Sequence, residues 1–226
     1  MLSRDRGSFM DEKKVSEISI RNVGLVLEKT TILDDVCMEM KKGNIYGLIG
    51  RNGSGKTMLM KCICGFVKPT KGNIMVRNQV VGKDIDFPEN MGILIENPGF
   101  ISYYDGIKNL IMLAGLNRKI DRRQIEETMR FVGLDPKMKR HVQKYSLGMK
   151  QRLGIAQAIM EDPDILILDE PMNGLDKEGV KDMRTLLLEL KKKEKTILIA
   201  SHNAEDIDEL CDHVWEMEHG RSNVVV

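Results

Sequence analysis

The 226-residue sequence predicts an α/β fold. Its core is a mostly parallel sheet covered by helices, with an antiparallel β part near the N-terminus and a helical subdomain inserted mid-chain. Three observations predict it. Short, almost wholly apolar runs such as NIYGLI (44–49), MGILIE (91–96) and DILILDEP (164–171) have the length of strands buried on both faces. Helical patterns separate these runs, and strand–helix–strand alternation implies parallel neighbours. From about 105 to 160, apolar residues recur at three- and four-residue spacing with almost no strand signal.

Residues 1–14 are polar and unpatterned, as expected of a disordered or expression-derived tail, with Met10 a natural start. Residues 15–226 are expected to form one domain, in which 15–48 and 72–90 supply the antiparallel part and about 100–160 the helical subdomain. Ile18–Asn22 and Ile32–Met40 read as paired strands near an edge. Asn44–Ile49 ends at a glycine and feeds a loop; Gly55–Cys64 is helical. KGNIMVRNQVVG (71–82) reads as a hairpin with Gly72 and Asn78 as turn residues. Within the helical insert, Gly115 and Gly133 stand where helices should stop. After strand 164–171 come helix Glu178–Lys193, strand Thr196–Ser201, helix Ala204–Leu210 and a last strand near His213–Glu218.

Composition excludes several classes. The chain has 35 basic and 34 acidic residues, a formal charge of +1, so no nucleic-acid footprint dominates it. The run Lys191-Lys192-Lys193 closes a Leu-rich helix as a solvated, dipole-matched end. Cys37, Cys62, Cys64 and Cys211 fit no zinc spacing and read as reduced thiols. No apolar run approaches the roughly 18–20 residues needed to span a bilayer.

GRNGSGKT (Gly50–Thr57) matches G-x-x-x-x-G-K-[ST] between a buried strand and a helix. Glycines let the backbone curl so that successive N–H groups of Gly50, Arg51, Asn52, Gly53, Ser54, Gly55, Lys56, Thr57 and Met58 can face phosphate oxygens. The helix N-terminus adds its positive dipole end. Lys56 is expected on the β- and γ-phosphates and Thr57 on magnesium. ILILDEP delivers two carboxylates to the C-terminal edge of a parallel sheet, where ligands bind. Asp169 is placed to hold magnesium. Glu170, one residue on and pointing elsewhere, suits the polarisation of an attacking water. More than a hundred residues, including the helical insert, separate Lys56 from Asp169; small GTPases and nucleoside kinases are more compact.

With these motifs the chain resembles the ATP-binding-cassette ATPase family, the nucleotide-binding subunits of transporters, over about residues 16–220. YSLGMKQR (145–152) is similar to the family signature, NGLD (173–176) to its D-loop, and Ser201-His202 after an apolar strand to its switch histidine. The resemblance implies a P-loop NTPase core. Two departures stand out in the signature: Leu147 replaces a glycine and Met149 a glutamine, a variant similar to bacitracin-resistance and lantibiotic-immunity exporters. Glu96 stands where the family has a magnesium-ligating glutamine. The region that would supply the adenine-stacking aromatic offers only Val26 and Leu27.

What the resemblance implies for function is an ATP- and Mg2+-dependent ATPase that powers a membrane exporter from the cytoplasmic face. Two cassettes would pack head to tail as a homodimer, with a separate transmembrane permease as partner and no nucleic acid. Glu170 and His202 would be catalytic. Ser146, Leu147, Gly148 and Asp176 would contact the partner's nucleotide; Thr57, Asp169 and Glu96 would hold the metal. Phe100, Tyr103 and Tyr104 are candidate permease contacts, with at least one expected in the core. ATPase heads of DNA-repair or chromosome-maintenance proteins are the other class considered. They interrupt the core with long coiled coils, and no sustained heptads occur here. Translation factors with two cassettes and a basic linker fit one near-neutral cassette poorly.

Overall fold

The computed structural model describes residues 16–96 and 98–225; the expected tail at 1–14 lies outside them. Two sheets organise the chain. The strands β1 (Ser16–Leu27), β2 (Thr30–Lys41), β4 (Lys71–Val76) and β5 (Gln79–Val80) form an antiparallel sheet in the order β2-β1-β4-β5. The strands β3 (Ile45–Ile49), β6 (Met91–Leu94), β7 (Ile165–Asp169), β8 (Thr196–Ala200), β9 (His213–Glu218) and β10 (Arg221–Val224) form the second sheet. Its order is β10-β9-β3-β8-β7-β6, and every pair except β10–β9 is parallel.

Side-chain alternation divides the core in two. From β3, β7 and β8, Tyr46, Leu48, Ile165, Ile167, Leu198 and Ala200 point to the antiparallel sheet and helix α1 (Lys56–Ile63). Ile45, Leu166, Leu168, Ile197 and Ile199 point the other way. There they meet α5 (Lys177–Lys192), α6 (Ala204–Leu210) and the helical subdomain: α2 (Gly106–Asn117), α3 (Arg122–Phe131) and α4 (Leu147–Ile159). Because these strands are covered on both sides, they are apolar throughout rather than alternating in the sequence.

Several expected boundaries shift. Strand β3 joins the parallel sheet, so the antiparallel part ends at Lys41 rather than 48, and its second portion is β4 and β5 rather than all of 72–90. Gly115 does not stop α2. The helix runs on to Asn117 and closes on Arg118, whose φ of 53° supplies the left-handed turn. An exposed helical glycine costs only about 1 kcal/mol, which the buried face of Ile107, Leu110 and Ala114 outweighs. Gly133, at φ 77°, does follow the end of α3. Strand β10 carries no sequence signal; Arg221 fastens it to Asp34 on β2 at 2.7 Å and the Ser222 hydroxyl takes a hydrogen bond from Cys37 N–H.

Burial accounts for three of the four cysteines, Cys37 being exposed. The Cys62 thiol is pushed up to about 11 and the Cys64 and Cys211 thiols to about 12, so none is a thiolate at neutral pH. Among the described residues no cluster of three His, Cys, Asp or Glu could hold a metal ion, and no helix is long and apolar enough to cross a membrane.

One close approach ties the helical subdomain to the core. A Cβ on Gly92 in β6 would run into the Ala158 carbonyl oxygen on α4 and lie 2.7 Å from Leu166 Cδ2. Gly92→Ala is therefore expected to destabilise the chain by about 1–3 kcal/mol by forcing α4 off the sheet, read as a lower midpoint in urea. An unchanged midpoint would show that α4 can shift at no cost.

Candidate functional site

The loop between β3 and α1 is shaped by its glycines. Gly50 has φ 140°, and a Cβ there would overlap the Met217 carbonyl oxygen. Helix α1 starts at Lys56 immediately after Gly55, so its free N–H groups open onto the loop. The Lys56 ammonium, buried, donates to the carbonyls of Gly50 at 2.6 Å and Arg51 at 3.1 Å, while Asn52 and Gly53 are exposed at the rim. The Ser54 hydroxyl is buried without a hydrogen-bond partner among the described residues.

Strand β7 brings Asp169 to this loop. Thr57 Oγ1 donates to Asp169 Oδ2 at 2.7 Å. Burial raises the Asp169 carboxyl above the ordinary carboxylate range; the Thr57 hydrogen bond works against that shift and the neighbouring Glu170 charge adds to it. Loop and strand end enclose a cleft of about 440 Å3 lined by Asn52, Gly53, Lys56, Thr57, Asp169 and Glu170. Ile32 and Met58 give it an apolar wall. Val26 and Leu27 stand exposed near the entrance strand but do not line the cleft; Ile32, a few residues further on, does.

Glu170 is the first residue past the end of β7 and lines the cleft beside Asp169, its carboxylate reaching towards the end of β8. Its Oε2 lies 2.9 Å from His202 Nδ1, the geometry of a ring N–H donating to the carboxylate. The backbone of Glu170 is left-handed, φ 49°, an unusual state for a residue with a Cβ. Three hydrogen bonds hold it there: its N–H donates to Ala200 O at 2.9 Å, and its carbonyl accepts from Asn173 N–H at 3.0 Å and from Gln151 Nε2 at 2.9 Å. Gln151 sits on α4, and no sequence signal distinguished it from any helical glutamine.

His202 is set by a separate network. Arg184 on α5 holds Glu205 at 3.0 Å, Asp206 at 2.7 Å and Glu209 at 2.8 Å; against the opposing effect of desolvation, the hydrogen bonds to Glu205 and Asp206 raise its pKa further above the usual arginine range. Buried Asp206 accepts from the Ser201 hydroxyl at 3.2 Å, and that oxygen accepts from Asn203 N–H at 3.1 Å. The turn that carries His202 is thus fastened at both sides.

The remaining expected residues lie elsewhere. Ser146 is the N-cap of α4, accepting from Met149 N–H at 3.2 Å. Asp176 is the N-cap of α5, accepting from Gly179 N–H at 2.8 Å. The Leu147 side chain is 53% exposed and otherwise lies on Gly174. Neither Ser146, Leu147, Gly148 nor Asp176 lines the cleft of its own chain. Glu96 does not lie on the Thr57–Asp169 pair; its carboxylate is 2.7 Å from Lys61 Nζ. Phe100 packs against the core, Tyr104 is half-buried with Lys108 over its ring, and Tyr103 is 63% exposed.

A phosphate-shaped loop, an aspartate held by the loop threonine, and a glutamate–histidine pair at the ends of adjacent strands now occupy one edge of the sheet. Residues 33–173 match the family described as ABC transporter. The chain belongs to the ABC transporter family. An ABC transporter ATP-binding protein of Bacillus subtilis, YybJ, is 46% identical over 204 residues, 90% of this chain and 94% of that protein. The bacitracin transport ATP-binding protein of Bacillus licheniformis is 40% identical over 191 residues, 84% of this chain and 62% of that longer protein. Among solved structures, a dimeric ATP-binding cassette in a post-hydrolysis state with ADP and Pi has a TM-score of 0.82 at 20% identity, covering 91% of this chain and 96% of that one. The family assignment makes the chain an ATP-binding ATPase.

The raised Asp169 carboxyl has a measurable consequence. A folded chain that binds this proton more tightly than the unfolded one is stabilised by the group below the ordinary aspartate range, and loses that contribution as pH rises through the raised value. Asp169→Asn keeps an acceptor for Thr57 and removes the buried charge. Without nucleotide it is expected to melt above the parent chain at about pH 7–8, with the gap narrowing on acidification. A gap that is absent or widens towards acid would contradict the burial argument.

Proposed function

We propose that this ABC ATPase powers an exporter of bacitracin-like, amphipathic antimicrobial compounds, as one of two copies that close head to tail over ATP. The observation that carries the dimer is the position of the signature: Ser146 and Leu147 are exposed at the front of α4 and lie outside their own cleft. Their N–H groups and the α4 dipole suit an anion, and the γ-phosphate of a second copy supplies one. The export direction and the class of cargo rest on the similarity to bacitracin transport proteins.

The donor set suits magnesium. Thr57 and Asp169 are hard oxygen ligands, and Mg2+ is usually held by one or two carboxylates together with phosphates rather than by an all-protein cage. Glu96 would join them by leaving Lys61, an exposed pair worth about 0–1 kcal/mol. The bound cation would neutralise charge on the phosphates. Lys56 would bind the β- and γ-phosphates, Glu170 would take a proton from the attacking water, and His202 would orient Glu170 and contact the γ-phosphate. Asp176, beside the signature at the start of α5, would face the partner's site.

A transmembrane permease would dock where the core meets the helical subdomain. A cleft of about 900 Å3 opens there between Met91–Ile95, Pro98 and α2, with exposed Phe66, Phe87 and Leu116 at its edges. An apolar rim of this size suits a short amphipathic segment.

Glu170→Gln is expected to lower kcat about 100- to 1,000-fold with ATP affinity nearly unchanged, and to accumulate an ATP-bound dimer on size exclusion. Ser146→Arg introduced into that chain should abolish the dimer while each chain still binds ATP. Undiminished dimerisation of the double variant would refute the trans contact; undiminished turnover of Glu170→Gln would remove Glu170 from the chemistry.

A further inference from the structure

Helix α4 grips the catalytic loop of its own chain at two points. At one end, Gln151 Nε2 donates to the Glu170 carbonyl at 2.9 Å. At the other, Leu147 lies on Gly174, and a Cβ on Gly148 would fall 2.8 Å from the Gly174 carbonyl oxygen. The gripped segment runs from Glu170 to Asp176, the N-cap of α5. Gln151 is only 9% exposed, and its amide enters the space beneath Glu170 from a different subdomain. Glu170 needs such support, because a left-handed backbone at a residue with a Cβ is strained and persists only where neighbours over-determine it.

We propose that Gln151 is a positioning residue for Glu170 of the same chain, and that the first turns of α4 thereby couple the signature to that chain's own catalytic carboxylate. The proposal rests on the assignment of Glu170 as the base and of Ser146 as a trans contact. Gln151 stands five residues after Ser146 on a continuous helix, about 7.5 Å along its axis. A shift of the signature against the partner's nucleotide moves the amide that fixes Glu170. Leu147, where the family has glycine, adds the second grip. Each copy's signature therefore serves two sites: the partner's ATP by contact and its own by support.

The test uses Gln151→Met, similar in length without a donor, and Gln151→Glu, the same shape with a carboxylate that repels the Glu170 carbonyl. On homodimers both are expected to lower kcat about 10- to 100-fold while KM for ATP and ATP-driven dimerisation stay within about 2-fold, since a small misplacement of a catalytic group costs that much. A general packing defect would instead lower dimerisation and thermal stability with kcat. A mixing experiment then assigns the effect to cis or trans. Ser146→Arg chains alone should neither dimerise nor turn over ATP. Mixed with Gln151→Met chains, they should regain activity, because one of the two sites then combines an intact Glu170 support with an intact signature. If Gln151→Met turns over at the parent rate, or if the mixture stays inactive, the positioning role is overturned. Ser146→Arg chains that turn over normally on their own would instead refute the trans contact, and the kcat-against-KM split of Gln151→Met would still decide the positioning role.

Discussion

The hydrogen bond from Thr57 to Asp169 joins the two halves of the site, and the rest of the arrangement follows from it. Thr57 belongs to the first turn of α1, which packs against one face of the parallel sheet; Asp169 ends β7, which lies two strands from β3. The bond fixes the loop's height above the sheet edge. Just past the strand, the left-handed backbone of Glu170, held by Ala200, Asn173 and Gln151, sets the direction of the next carboxylate. With Asp169 turned to the loop, Glu170 is turned to the end of β8, and His202 meets it there. The buried apolar layers on either side of β3, β7 and β8 keep these ends from moving independently.

Much of this was legible in the chain. The phosphate loop, the acidic strand end and the Ser-His pair each combine a distinctive residue type with an apolar strand, and an apolar strand of five residues has few other places to go than the middle of a parallel sheet. Even the N-cap role of Ser146 could be read, because a hydroxyl before a helical pattern has a local job. The parts that were not legible depend on partners distant in sequence. Gln151 looks like any polar residue on a helix until β7 places a carbonyl against it. Ile32 is one apolar residue among several in its hairpin, and only the bend of the chain over the cleft selects it. Strand β10 is polar and exposed, held by Arg221 and the neighbouring hairpin rather than by its own propensity. At Gly115, packing on one face of α2 overrode a local stop signal.

Glu96 shows how a motif position can keep its place and change its chemistry. A glutamine there could present either an oxygen or an N–H; a carboxylate presents oxygen only, and it finds the nearest cation, Lys61 on α1. The pair is exposed and weak, so it can exchange. A negatively charged residue also sits near Asp169 and adds to the pressure that raises its carboxyl. Charge balance in this cleft is therefore acidic at the strand end and basic at Lys56, an arrangement that favours a ligand carrying both a cation and phosphates.

The central claim is that the signature of one copy completes the ATP site of another. The direct measurement is site-specific cross-linking in a chain whose native cysteines are replaced by serine. One preparation carries Ser146→Cys and a second Asn52→Cys. Mixed with ATP and a short bifunctional thiol reagent, the two should give a covalent dimer that neither forms alone and that is lost without nucleotide. Cross-linking that is independent of ATP, or none at all with ATP saturating, would contradict the account.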